Sequence, residues 1–519
     1  MGRLMRIAGS LAIVIAVAAP ASGAALRARS VAAALCVGTQ TGCYGSIQAA
    51  VDAAHDGDTI TIGPGTFGGG VTIAESVHVI GSGAGTTTIN GGGPVVTIGL
   101  ADAATQPTVR LSGLTIAGGL NTSGPEARGG GIAVLAGASL TLSSSVVTGN
   151  RVAPASNRPS GLPCSSLCPY ALASGAGINN AGTTVLNGVT VTGNTASGPM
   201  TSDADGGGIM NERGATLLVR DSVVTGNLAR AVLPYGRFAE AGGIFSRSTS
   251  SLTVVGSSVS GNTAELSTAF SSAVTGAQSG GVKLAQREGE TTIGTIRDSH
   301  IDGNTVIATS TGGELFAFGG GIDGDGSLLL VGSTVDDNRV DASSNENMFA
   351  DGGGLEIEGS ATIAGTHIAG NSVTAHAAQG IASAQAGGLF AAGETPVWVR
   401  DSFIGDNTAH STATAGTAIV QGGGILNATG LDVRDSIVRD NTASAAGPSG
   451  TAQGGGIWNG DLDYGPSVEL ALRNVTVTDN TLSGTPGLPV QGGGLFTAFP
   501  VTLHDTVLAG NAPDQCFGC

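Results

Sequence analysis

The stretch GGGIMNERGATLLVRDSVVTGN, residues 206–227, decides the fold. It reads as a glycine run, an aliphatic, a turn, a short apolar-alternating segment and a closing S-x-V-x-x-N. The same order returns from about residue 129 to the C-terminus, with a period of roughly 30–45 residues. The closing asparagines are Asn150, Asn194, Asn227, Asn262, Asn304, Asn338, Asn371, Asn407, Asn441, Asn480 and Asn511. An aliphatic stands three residues before each, as in Val147, Val224, Ile301, Ile368 and Leu508, and mostly Ser or Thr two residues earlier again. Alternation of period two over so short a segment is strand, not helix. Asn tolerates the left-handed backbone of a tight corner, and stacked Asn side chains can bond along a column.

Each unit supplies three short strands: one after the glycines, one at the LLV-like positions and one at SxVxxN. Three strands per coil, with coils stacked about 4.8 Å apart, make a parallel β-helix. The expected fold is therefore all-β, a single-stranded right-handed parallel β-helix of about thirteen coils with a short N-terminal capping helix. Composition agrees. Aromatic residues are 3% and charged residues 11%, which suits a thin interior of Val, Ile, Ala, Ser and Thr rather than an aromatic globular core.

The expected boundaries follow from the ends. Arg3, Arg6, the apolar run 7–19 and Ala19-Pro20-Ala21 read as a secretory signal peptide spanning residues 1–25. Residues 26–58 are a linker and cap, residues 59–511 the β-helix, and residues 512–519 a covering segment. Within the cap, SIQAAVDAAHD (46–56) places Ile47, Ala50, Val51 and Ala54 on one helical face. A secreted, extracellular protein is expected, with no membrane insertion after signal cleavage. The formal net charge of −17 argues against nucleic acid as a partner. Six cysteines in local pairs, Cys36 with Cys43, Cys164 with Cys168 and Cys516 with Cys519, predict three short disulfides in an exported chain.

With these features in view, the repeat and the SIQAAVDAAHDGDTITIGPGTF run resemble the secreted bacterial right-handed β-helix proteins of the pectin-lyase-like superfamily. The resemblance covers nearly the whole mature chain and speaks to fold more than to chemistry. It implies a protein that binds polysaccharide or cell-surface glycan without catalysis. It also leaves open a Ca²⁺-dependent polysaccharide lyase, or a glycoside hydrolase, acting on acidic polysaccharide.

The residue after the inward aliphatic of each unit should point outward, and the next outward position lies two further on. Read coil by coil, these columns bring together Asp323, Asp325, Glu356 and Glu358, with Lys283, the sole lysine, one coil away. Four carboxylates in such proximity repel unless a cation binds or one keeps its proton, and oxygen-rich clusters suit Ca²⁺. By resemblance these would be metal ligands and Lys283 a catalytic base. Phe245 and Phe390, flanking them, are expected to offer ring faces to sugar. A second column ahead of the glycines, Asp205, Glu240, Gln278, Asp351, Gln385, Gln421, Gln453 and Gln491, reads in its later part as an amide ladder. The segments between each Asn and the next glycines read as variable loops projecting from one corner, where binding residues commonly sit.

Overall fold

The computed structural model describes residues 34–154, 171–198, 202–231, 236–269, 275–462 and 468–519. The expected signal peptide and the Cys164/Cys168 pair lie outside the described residues. Every strand pairing between coils is parallel and in register, so the chain is a parallel β-helix of the expected kind. One coil shows the plan. Ile209–Asn211 follows the glycines and belongs to sheet I, and Thr216–Arg220 belongs to sheet II. Val223–Thr225 continues sheet II around a corner and ends at Asn227. Sheet I holds fourteen strands among the described residues, from Val71–Ile73 to Cys516–Phe517.

The inward residues of this loop, such as Ile209, Leu217, Val219 and Val224, are buried and join one continuous Ile, Leu and Val core along the axis. Burial of this kind, about 25 cal/mol per Å² of apolar surface, is the main stabilising term. The closing asparagines sit at one corner with their amides along the axis. From Asn150 to Asn480 each side-chain nitrogen donates to the next coil's Asn oxygen, for example Asn227 Nδ2 to Asn262 Oδ1 at 2.9 Å. Their backbone differs from expectation. The left-handed residue is the one before the Asn, either Gly, as at Gly226 (φ 62°), or Asp, as at Asp337 (φ 56°). That leaves the Asn itself free to turn its amide inward.

A larger difference concerns the expected loops. After Asn227 the chain forms Leu228–Ala231 in sheet III, and it returns to the next glycines through Phe238–Glu240 in sheet IV. Each of these sheets has eleven parallel strands among the described residues. They enclose a second core rich in alanine, including Ala204, Ala229, Ala231, Ala239 and Ala264. Segments such as Ser372–Ala377, SVTAHA, alternate small buried residues with polar ones. Alanine is a poor strand former on its own, so the alternation reads weakly. Here it lets two sheets lie face to face beside the main coil.

Both ends are closed. Strand pairing starts ahead of the capping helix, with Ala34–Val37 beside Thr59–Ile62. The helix itself, Ile47–Asp52, is capped by Ser46 Oγ accepting from Ala49 N at 3.2 Å and buries Ile47, Ala50 and Val51. Disulfides Cys36–Cys43 and Cys516–Cys519 are formed, with Cα–Cα distances of 4.7 and 6.1 Å. At the far end, Phe517 stacks on Phe496 at 5.5 Å between ring centroids. Among the described residues, no helix is long and apolar enough to cross a membrane.

Candidate functional site, an acidic cleft between two sheets

The column after the glycines runs in strict register: Phe245, Lys283, Asp323, Glu356, Phe390, Leu426, Trp458 and Phe496. It points away from the main core, as its alternation requires, yet it is not a surface. Lys283 is 3% exposed, Asp323 1% and Glu356 4%. Sheet IV explains this. Its last residues, Glu240, Gln278, Phe318 and Asp351, form a second column in register and face the first across the glycine corner. The two columns therefore share one cleft. The corner has to be tight. A Cβ on Gly319 would stand 2.6 Å from Asp323 Cβ, and one on Gly352 2.7 Å from Glu356 Cβ.

At the middle of the cleft is a cavity of about 200 Å³ lined by Glu240, Lys283, Asp323, Asp325, Glu356 and Phe318, among others. Lys283 Nζ donates to Asp323 Oδ2 at 2.7 Å and lies 3.5 Å from Asp325 Oδ2. One carboxylate oxygen each of Asp323, Asp325 and Glu356 lies within 4.8 Å of the others. Glu358, expected as the fourth corner of a square, is exposed at the rim and stands outside this group. Asp323 Oδ1 is buried and has no hydrogen-bond partner.

Electrostatics follow from burial and crowding. Burial and neighbouring carboxylates raise Glu240 to about 8. Burial, only partly opposed by Lys283, raises Asp325 to about 6. Glu356 is pushed well above the usual range by burial and by Asp323. Burial alone would lower Lys283, but Asp323, Asp325, Glu240 and Glu356 outweigh it and hold the ammonium well above its ordinary pKa. A general base must be free to accept a proton. Lys283 is instead a fixed counter-ion, which does not fit the expected base role.

The cleft changes character along the axis. Toward the N-terminus it continues through Asp203, Asp205 and Glu212, and Arg247 Nη2 donates to Asp205 Oδ2 at 2.6 Å. Toward the C-terminus Phe390, Leu426, Trp458 and Phe496 pack into an apolar block. Phe245 and Phe390 are each 4% exposed, so neither presents a ring to a ligand as expected. Strands of sheet IV, formed by segments expected to be loops, roof this column. The rings that do stand half-exposed beside the acidic centre are Phe316, Phe318 and Phe349 on sheet IV. Phe316 stacks on Phe349 at 5.5 Å and meets Phe318 at 5.8 Å. The L-F-A-F and M-F-A-D alternation carried that information once read as strand. The late glutamines pair as an amide ladder in part, Gln385 Nε2 donating to Gln421 Oε1 and Gln453 Nε2 to Gln491 Oε1.

No protein-family model matches the sequence, and neither does any curated protein. Among solved structures, the A-module of a mannuronan C-5 epimerase from Azotobacter vinelandii is 16% identical, with a TM-score of 0.29, covering 90% of this chain and 95% of that one. A pectin methylesterase from Erwinia chrysanthemi is 9% identical, with a TM-score of 0.29, covering 56% of this chain and 82% of that one. A PL6-family alginate lyase is 10% identical, with a TM-score of 0.19, covering 93% and 100%. Among the described residues the sheets are all parallel, with one repeat per coil wound about an aliphatic core, which is a parallel β-helix.

Proposed function

We propose that this is a secreted, non-catalytic β-helix protein that binds polysaccharide or cell-surface glycan, with one divalent cation, most suitably Ca²⁺, held in the acidic cleft. The observation that carries the cation is the buried, unpartnered Asp323 Oδ1 beside Asp325 and Glu356. A buried acceptor without a partner is costly, and a second negative group nearby makes it more so. Lys283 neutralises one charge, while Glu240, Asp323, Asp325, Glu356 and Glu358 bring five carboxyl groups to the same cavity. The donor set is all oxygen, as Ca²⁺ prefers. Asp323, Asp325 and Glu356 would hold the ion, and Glu358 at the rim lies where an acidic sugar bridged through it would arrive.

Two features support binding without catalysis. The candidate base is locked in ion pairs, and the half-exposed rings Phe316, Phe318 and Phe349 beside the cavity supply apolar faces but no nucleophile. Disulfides at both ends suit an oxidising compartment. The lyase alternative would need Lys283 released from Asp323, and the hydrolase alternative would rest on a pair of the cleft carboxyl groups instead.

Calorimetry with Ca²⁺ on the mature protein tests the reading. Binding should raise unfolding stability by about 2.7 kcal/mol at a hundredfold excess over Kd, and Asp323→Asn with Glu356→Gln should abolish the gain. A glycan array run with Ca²⁺ and with chelator tests the bridging role. Absence of Ca²⁺ binding near millimolar would remove the cation from the proposal.

A further inference from the structure

A different face of the molecule carries a second site. Sheet II turns its outer surface to solvent, and over the last coils that surface is not flat. The outward residues Trp398, Asp432, Ala471 and Thr502 lie in register on four successive coils. Three coil spacings make about 14 Å. Trp398 is large, Ala471 is small, and Gly430 beside them carries no side chain at all. The result is a groove of about 610 Å³ walled at one end by the indole. That volume is in the range of small-molecule sites. Trp398 is 45% exposed, among the largest exposures of any apolar side chain described here.

The charges in the groove are mixed. Arg434 forks onto Asp432, with Nε donating to Oδ1 at 2.9 Å and Nη2 to Oδ2 at 2.5 Å. Arg473 Nε lies 3.8 Å from Asp432 Oδ1, and Glu469 lines the groove as well. The lining thus holds Asp432, Glu469 and Arg473, with Arg434 and Arg400 flanking it in register, so donors and acceptors are interleaved and no block of one sign lines the groove. An exposed indole offers an apolar face to the C–H side of a pyranose, while paired Arg and Asp groups suit hydroxyls. A carboxylated sugar would meet Asp432 and Glu469, and an amino sugar would meet Arg473.

We propose that the outer face of sheet II, over the coils of Trp398, Asp432, Ala471 and Thr502, binds an uncharged oligosaccharide strand with the Trp398 indole as its stacking platform. The site stands apart from the acidic cleft and does not rest on the cation.

The chain has two tryptophans, and the other, Trp458, is 4% exposed. Acrylamide quenching of intrinsic fluorescence therefore reports Trp398 almost alone. Cellohexaose, maltohexaose and xylohexaose, each up to about 10 mM, are titrated into the mature protein, with hexagalacturonate in parallel. At least one uncharged hexasaccharide should lower the quenching constant twofold or more, and hexagalacturonate should not. Ala471→Phe fills the groove while keeping the reporter, and should abolish protection with the melting curve unchanged. Asp323→Asn should leave protection intact, which separates this site from the cleft. The proposal is overturned if no uncharged hexasaccharide protects Trp398, if hexagalacturonate alone does, or if Ala471→Phe binds as well as the parent.

Discussion

The asparagine corner and the acidic cleft are both polar columns buried between coils, and they are satisfied to opposite degrees. At the corner every amide is used. Asn304 Nδ2 donates to Val259 O at 2.9 Å and to Asn338 Oδ1 at 3.0 Å, and its Oδ1 accepts from Asn262 N and Nδ2 at 3.1 and 3.0 Å. A serine column beside it works the same way, Ser222 N donating to Ser257 Oγ at 3.1 Å. In the cleft, by contrast, Asp205 Oδ1, Asp323 Oδ1 and Asp351 Oδ1 are buried without partners. Identical neutral amides on successive coils can bond to one another indefinitely. Carboxylates on successive coils cannot, because each is an acceptor and like charges repel. A satisfied column is therefore structural, and an unsatisfied one is where a ligand, proton or ion has work to do.

The strongest way to break this contrast is to remove Lys283, the cation at the cleft's acidic centre. Lys283→Met should cost about 3–5 kcal/mol of unfolding free energy, the usual penalty for leaving a buried charge unpaired, with partial recovery at low pH as the carboxylates protonate. Urea unfolding measures it, and a loss below about 1 kcal/mol would mean Lys283 is no counter-ion. Asn304→Ala in the middle of the corner should cost somewhat less, about 3 kcal/mol, since four modest hydrogen bonds go and their partners are stranded. Unlike the lysine variant, it should show no recovery in acid.

A pH series sharpens the contrast further. Burial, against the pull of Arg247, raises Asp205 from 3.8 to about 6 in the folded protein. Between about pH 4 and pH 6 the folded state keeps this proton while the unfolded chain has lost it, so stability falls as pH rises through that window and is level above it. The fall should be on the order of 1–3 kcal/mol. Asp205→Asn should remove that part of the slope, and an unchanged slope between pH 4 and pH 6 would reject the assignment. No asparagine-corner variant should alter it.

How much of this was legible before the structure depends on residue type. The coil, its aliphatic core and the Asn column were readable because Val, Ile and Asn hold fixed offsets in every unit. The co-location of Asp323, Asp325 and Glu356 was readable for the same reason, since register alone brings them together. What escaped was everything built by sheets III and IV. Their inward residues are alanines, such as Ala375, Ala384 and Ala409, too small to announce a strand. Missing those sheets turned a roofed cleft into an imagined surface. It also assigned Phe245 and Phe390 to solvent and hid Phe316, Phe318 and Phe349. The place of Glu358 at the rim of the cavity, outside the tight group of three, was out of reach too, because register fixes the backbone partner and not the side-chain reach.

The smallest expected effect lies where the satisfied column ends. Asn511 bonds to Gln515 where the earlier members of the column bond to another asparagine. Gln515 Oε1 accepts from Asn511 Nδ2 at 2.9 Å and from Asn511 N at 3.2 Å, and its Nε2 donates back to Asn511 O at 3.1 Å. A glutamine thus imitates the next asparagine of the column. The mimicry matters only locally, because Gln515 is exposed and water can replace a lost partner there. Gln515→Ala should cost about 0.5–1.5 kcal/mol, too little to displace the global unfolding midpoint by much. Hydrogen exchange should report it instead, with faster exchange at the amides of Asn480 and Asn511 and none at Asn304. Acceleration that spread to the middle coils would mean the column is cooperative along its whole length, and the corner would then be one unit rather than a stack of independent bonds.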